Sequence, residues 1–434
     1  MKIAWFTPFS AQSAIGKYSK LACEALSEEH TVAIFTPEAE RYHETSLKVI
    51  PFRGTEAAVQ LPSYDIAVYN LGDNSLFHSD IYDMAQAYPG VLVLHDICML
   101  NFFNGYFLQH RGSSEEYIQK ITGLYGKEAC DSILTALQDA ERWSRLDFLR
   151  YHCLPEIVRQ AKGVVVHSHY HEEFVKSCYG GPVQVIYFPY QPSKPSPSLP
   201  GNGKRMEILT VGNVNVNKRV LPIIEAIASD SKLAKSVHYT VAGALSGEYA
   251  NQLRQLIQKS RLDHAVTLEG AVSDERLGQL YDQAELLINL RKPAIEGASW
   301  SLLEQMEKGK PVIVRNAGFY GELPDDCLWK LDDRTGEVPA IREALLRALQ
   351  DKKAGRDMGN RAREYVLKTF TPAHYREGWE RLFNQRMFVK PVEELVESVR
   401  YELQIMGVNG EAKVLQTLAK EIDGMFARYE GLVD

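Results

Sequence analysis

Two glutamates eight residues apart, Glu296 and Glu304, lie in a stretch whose punctuation is readable from residue types alone. An apolar run from Ile288 stops at Arg291-Lys292-Pro293, as a strand does when it meets a loop. A short Glu296-Gly297-Ala298-Ser299 loop then opens a helical pattern that closes at Gly309, and Pro311-Val-Ile-Val314 starts another strand. One carboxylate is thus placed in the loop and the other well inside the helix. The N–H groups of a helix N-terminus lie between them and favour a phosphate through hydrogen bonds and the helix dipole. Eight residues of helix rise roughly 12 Å at ~1.5 Å each. That length lets one carboxylate touch a sugar while the other reaches a ribose, with a diphosphate between.

Other loops carry residue types suited to the same ligand. After the first apolar run comes Pro8-Phe-Ser-Ala-Gln-Ser13-Ala14-Ile-Gly16-Lys-Tyr18, whose small residues let a backbone approach a phosphate closely. It is not a Walker loop, since Ala11 and Tyr18 replace the first glycine and the hydroxyl residue. No Gly-x-Gly-x-x-Gly follows a strand, which speaks against a nicotinamide dehydrogenase. His95-Asp96 ends the run Val91–Leu94, and His167-Ser168 ends another. Gly72-Asp-Asn74 and His78 follow a third strand and either line an acceptor side or form a turn with a surface histidine. Gly212-Asn213-Val-Asn-Val-Asn-Lys218-Arg219 follows Ile208–Val211 and supplies two cations, with Arg291 as a further one. A basic residue on a loop is ordinarily just solvated, so these stand as candidates.

The elements that must position these residues alternate short β-rich runs with longer helical patterns. Strands are predicted at Lys2–Phe6, Thr31–Phe35, Leu47–Pro51, Ile66–Asn70, Val91–Leu94, Val164–His167 and Val183–Tyr187. In the second half they are predicted at Ile208–Val211, Tyr239–Ala242, Val266–Leu268, Leu286–Leu290, Val312–Val314 and Leu328–Leu331. The Pro/Ser/Gly-rich run from Pro189 to Gly203 can be neither helix nor central strand and reads as a linker. Alternation on both sides implies an α/β protein with two doubly wound parallel sheets facing a cleft, ligands meeting the carboxyl ends of the strands. The expected domains are 1–190, 204–370, a helix over 371–388, and a helical tail over 389–434. Residues 101–162 interrupt the rhythm with an aromatic-rich helical insertion (Phe102, Phe103, Tyr106, Phe107, Tyr117, Tyr125, Trp143, Phe148), read as packing, with an acceptor wall as the alternative. In the tail, Val392, Leu395, Val399, Leu403 and Met406 share one face, as do Val414, Leu418, Ile422 and Met425, so this hairpin packs on the body or on a second subunit.

The chain of 434 residues is long enough for two or three domains. Its first 200 residues carry 16 Lys+Arg against 22 Asp+Glu and the rest 33 against 34, so neither half is basic. Nucleic acid is therefore not an expected partner, and broad adhesion to an anionic membrane has no support. No apolar run approaches the roughly 20 residues that span a bilayer. The start reads as a first strand and not as a secretion signal. The six cysteines are scattered, without Cys-x-x-Cys, which suggests neither zinc nor disulfides and points to the cytoplasm.

The Glu296-to-Glu304 segment, with Gly-Lys-Pro after it and Gly318-Phe-Tyr-Gly-Glu322 beyond, resembles the E-x7-E signature of glycosyltransferase family 4, retaining enzymes of the GT-B fold. The resemblance extends over roughly residues 1–388 and is strongest from 206 to 325. The Gly16 loop is similar to the family's Ser-Gly-Ile-Gly-Arg-Tyr, with Ala14 at a usual glycine. Gly212 to Lys218 is similar to its Gly-Arg…Lys segment, with Asn213 at the usual arginine. The resemblance implies transfer of a hexose from a nucleoside diphosphate sugar, by default a UDP-sugar with GDP-mannose as competitor, to a saccharide or lipid-linked acceptor. It implies Glu296, His95 and Lys218 as catalytic residues. Gly16, Gly212, Asn213, Lys218, Arg219, Val272, Gly297, Ala298, Ser299 and Glu304 would bind the donor. Asn74, His78 and Asp96 would line the acceptor side. Neither a cofactor nor a metal is expected, no Asp-x-Asp being present, and peripheral association with the inner face of the membrane fits a lipid-linked acceptor. A sugar-nucleotide epimerase of the same fold and a non-catalytic subunit of a biosynthetic complex are the alternatives.

Overall fold

In the computed structural model, thirteen parallel strands form two sheets among the described residues. These residues are 1–384, apart from 12, 39–40, 140–141, 144, 193–204, 246, 333 and 335. The tail 389–434 and most of the 189–203 linker therefore lie outside the described residues. The first sheet contains β1 (Lys2–Phe6), β2 (Thr31–Thr36), β3 (Lys48–Pro51), β4 (Ile66–Leu71), β5 (Val91–Leu94), β6 (Gly163–Val166) and β7 (Val183–Val185), in the order β3-β2-β1-β4-β5-β6-β7. The second contains β8 (Met206–Val211), β9 (Val237–Ala242), β10 (Val266–Gly270), β11 (Leu286–Asn289), β12 (Val312–Arg315) and β13 (Trp329–Leu331), in the order β10-β9-β8-β11-β12-β13. Every predicted strand is present, with ends displaced by a residue or two, as fraying at strand ends allows.

Both sheets change winding direction once, between β1 and β4 and between β8 and β11. At such a reversal the loops diverge and leave a crevice beyond the carboxyl ends of the strands. The Gly16 loop, the Gly72–Asn74 turn, the Gly212–Lys218 turn and the Glu296 loop leave the carboxyl ends of these four strands. The candidate residues are gathered there by topology, before any side chain is considered.

Strands covered by helices on both faces need apolar residues at every position, and Ile3, Ala4, Trp5 and Phe6 of β1 are all fully buried. The helix Ala14–Leu26 begins where Ser13 accepts a hydrogen bond from the Gly16 N–H (3.0 Å) and lays Tyr18, Leu21, Ala22 and Leu26 on this sheet. The insertion rings predicted as packing do pack: Phe102, Phe103, Tyr106, Phe107 and Tyr117 are buried in the first core, and Tyr125, Trp143 and Phe148 lean against it.

Residues 1–379 form one compact unit; a second begins at Glu380. A helix over 372–384 starts with Pro372 in its first turn, where the missing N–H costs nothing. Its Tyr375 hydroxyl meets the Tyr18 hydroxyl at 2.7 Å, and Trp379 packs edge-on against Trp5 of β1. Lys310, of the Gly-Lys-Pro turn, reaches the carbonyls of Tyr281, Asp282 and Ala284 at the end of the helix Asp274–Gln283, closing that helix with a cation. No described helix is long and apolar enough to cross a membrane.

Candidate active site

The Glu296 loop does not begin the helix. Backbone 295–297 instead runs antiparallel to 95–97 of the other sheet domain: Ile97 N–H donates to Ile295 O (3.1 Å) and Gly297 N–H to His95 O (2.8 Å). The helix starts later, at Trp300, with Ser299 as an N-cap whose hydroxyl meets that of Ser301 and makes no capping bond to a backbone N–H. Only the last part of the Glu296–Glu304 separation is therefore helical, and the span is shared between an extended loop and one turn. Gly297 is required here by space, since a Cβ would stand 2.8 Å from His171 Nδ1 and 3.2 Å from His95 O. With its N–H given to His95, Gly297 ties the two walls together, and that N–H is not available to a ligand.

The Glu296 carboxylate accepts from Arg291 Nε at 3.0 and 3.1 Å and from the Tyr320 hydroxyl. Arg291 Nη1 is buried with no hydrogen-bond partner, a donor next to the cleft that a bound anion or sugar oxygen would satisfy. At the other carboxylate, Glu304 Oε1 accepts from the Trp300 indole N–H (2.8 Å) and from the Lys17 ammonium (3.1 Å). Lys17 belongs to the first turn of the helix after the Gly16 loop, so this ion pair spans the cleft. Its ammonium also lies 4.8 Å from the centre of the Trp300 ring. With side chains 50% and 26% exposed, the pair contributes about 0–1 kcal/mol, as surface pairs do.

Lys218 is buried in the 3-10 turn after β8 and donates to Val211 O. Burial, reinforced by Arg291 and opposed by Glu296, lowers its pKa to about 7. Gly212 makes room for it: at φ +107° it adopts a conformation open to glycine, and a Cβ there would stand 2.8 Å from Lys218 Nζ. Asn213 is exposed and uncharged. Arg219 turns away to Glu337, with Nε 2.9 Å from Oε1, so its charge is compensated outside the Glu296 group. Val272 is half-buried after Gly270, whose carbonyl accepts from Gly243 N–H at 2.7 Å.

On the facing wall, His95 is buried between the rings of Tyr18 (4.8 Å) and His167 (5.1 Å). Its Nε2 lies 3.2 Å from Asn70 Oδ1, while Asn70 Nδ2 donates to Phe6 O. The amide oxygen can only accept, so Nε2 carries the proton and Nδ1 is left as an acceptor. Burial pushes His95 well below the usual histidine range, with neighbouring His167, His78 and His171 adding to it. His78 and His167 fall to about 4, also through burial. These three histidines are thus neutral at physiological pH. Asp96 is raised to about 6 by burial, and its Oδ2 accepts from Asp73 N–H at 3.0 Å.

The structure brings Glu296, His95, Lys218, Ala298, Ser299, Glu304 and the Gly16 turn to one cleft. It places Asn74 at the cap of the helix Ser75–Ala87, accepting from Leu76 N–H at 3.1 Å, and buries His78 against Asn70 O at 3.0 Å. Both therefore have structural partners. Sequence reasoning left Asn70, Tyr320, Trp300 and Lys17 unassigned. An Asn closing the apolar run of β4 and a basic residue after Gly16 were available signals; the pairing of Tyr320 with Glu296 was not.

Residues 195–365 match the family model described as glycosyl transferases group 1. No curated protein matches the chain in sequence. Among solved structures it is similar to sucrose-phosphate synthase from Thermosynechococcus elongatus, with TM-score 0.61 and 16% identity over 90% of this chain and 100% of that one. It is also similar to Anabaena HepE in complex with UDP-glucose (0.59, 16%, 88% and 100%) and to WaaG, a glycosyltransferase involved in lipopolysaccharide biosynthesis (0.57, 15%, 86% and 98%). The match to group 1 glycosyl transferases thus falls on residues 195–365, in a chain with the GT-B fold.

Proposed function

We propose that this chain is a retaining glycosyltransferase that moves a hexosyl group from a nucleoside diphosphate sugar, by preference a UDP-sugar, to a hydroxyl of a saccharide or lipid-linked acceptor. The observation that carries this reading is the arrangement along one wall: Glu296 held by Arg291 and Tyr320, a helix entry at Ala298–Ser299, and Glu304 on the first turn beyond. Lys218 lies behind the same wall, and His95 and the Gly16 turn face it.

In this reading Glu304 accepts hydrogen bonds from the ribose hydroxyls. The Ala298 and Ser299 N–H groups, Lys218 and the Gly16 turn hold the diphosphate. Glu296 and the free Nδ1 of His95 accept from sugar hydroxyls. The bond from the anomeric carbon to the phosphate oxygen breaks while the acceptor oxygen bonds to that carbon on the same face. The acceptor proton passes to the departing phosphate oxygen. Lys218 and the helix entry stabilise the charge that develops there, an electrostatic effect set up before reaction. Closure of the two walls keeps water from the donor.

A thermal-shift screen of nucleotides, followed by donor-turnover assays of wild type and Glu296→Ala, tests the reading. The expected result is a rise in melting temperature with UDP, and nucleotide release that depends on an added acceptor and disappears in the variant. No stabilisation by UDP or GDP would remove the donor assignment. Conversion of the donor sugar without an acceptor would identify an epimerase instead.

A further inference from the structure

We infer that Lys17 is a second cation for the donor diphosphate, paired with Glu304 and transferred to phosphate when ribose takes the carboxylate. The inference rests on the donor reading above. A nucleoside diphosphate sugar brings two negative charges into a cleft whose other cations are largely committed. Lys218 is buried and bonded to Val211 O. Arg291 Nε is spread over both oxygens of Glu296, with the buried Nη1 still unpartnered, and Arg219 is paired with Glu337. Asn213 contributes no charge at the end of β8. Lys17 differs from all of these: its side chain is half exposed, its partner stands on the opposite wall, and the contact is weak.

The position suits a transfer. The Lys17 ammonium is 3.1 Å from Glu304 and 4.8 Å from the ring centre of Trp300, the residue next to the N-cap Ser299. It therefore already lies beside the helix entry where the diphosphate is placed. Ribose hydroxyls approaching Glu304 compete with Lys17 for Oε1, which the Trp300 indole N–H also uses. The displaced ammonium has three donors on a flexible stem and an anion within reach. The ion pair thus opposes the nucleoside part of the ligand while the same lysine favours the phosphate part.

That opposition of signs gives the test. Binding of UDP and of uridine to wild type, Lys17→Ala and Lys17→Arg is measured by calorimetry at two salt concentrations, with GDP and guanosine substituted if wild type prefers them. Lys17→Ala should weaken UDP about tenfold and flatten its salt dependence, while uridine binds as well as before or several-fold more tightly. Lys17→Arg should restore UDP binding to within a few-fold. Lys17 is half exposed, so unchanged melting temperatures should accompany these effects. Equal losses for UDP and uridine, or an unchanged UDP affinity in Lys17→Ala, would overturn the inference while leaving the donor reading intact. Wild type that binds neither nucleotide would remove the donor reading, and this inference with it.

Discussion

At one end of the cleft Glu296 is held by Arg291, only 12% exposed, and by the fully buried Tyr320; at the other, Glu304 is held by Lys17, 50% exposed, from the opposite wall. The two carboxylates are themselves equally exposed, at 26% each, so burial does not distinguish them. Their partners do. Glu296 is met by Arg291 Nε on both oxygens and by the Tyr320 hydroxyl, all from its own wall, whereas Glu304 keeps only the Trp300 indole N–H when Lys17 leaves. Under the proposed function the contrast would separate two tasks. A group that must meet charge developing in a transition state benefits from fixed geometry, and one that meets a stable part of the ligand needs only a contact it can exchange.

The largest effect that would break this comparison belongs to Glu296. Replacing it with Ala should lower kcat about 10²–10³-fold, the loss typical of removing one preorganised electrostatic group, while UDP affinity changes less than about threefold. Equal losses in turnover and UDP affinity, measured by steady-state kinetics and calorimetry, would mean both ends serve binding alone. Lys218→Met should lower turnover at least about tenfold and yet raise the melting temperature, because a buried ammonium is costly and a methionine of similar shape is not.

The protonation of Lys218 adds a pH axis. Its folded-state pKa of about 7 lies below the ordinary lysine value, so between pH 7 and that value the unfolded chain binds a proton the folded one does not. Stability contributed by this group therefore rises with pH across that window, and the Lys218→Met variant should lose that slope. UDP affinity should move the opposite way, falling as pH climbs above about 7 and the ammonium is lost. Smaller effects sharpen the contrast between the two ends. Glu304→Gln should weaken UDP about tenfold, the scale of one charge-assisted hydrogen bond, with kcat at saturating donor nearly unchanged. Tyr320→Phe should lower kcat several-fold and leave UDP affinity intact.

The strands were legible because each is a short, nearly continuous apolar run bounded by turn residues, and β1 and β5 appear with the ends the pattern predicts. The gathering of loops followed from alternation, since doubly wound sheets place their ligands at one edge. Residues 296–299 were not legible as an extended segment. The conformation of 295–297 is set by pairing with 95–97, some two hundred residues earlier, and a short Glu-Gly-Ala-Ser loop carries no trace of such a partner. Asn70 shows a related limit: its place at the end of β4 was readable, but its grip on His95 depends on the neighbouring order of β4 and β5.

The backbone ladder between the two walls has a consequence for how cleft motion can be followed. The Ile97 and Gly297 amide protons are each bonded to a backbone carbonyl of the other sheet domain, and the His169 and Tyr170 amides donate across to the side-chain carboxylate of Glu322. Any separation of the walls releases all four to solvent at once. Their deuterium uptake should therefore share one rate, set by opening and not by local fraying, and should slow together when nucleotide is added. Four amides distributed along the chain would act as a single clock for the opening of the cleft.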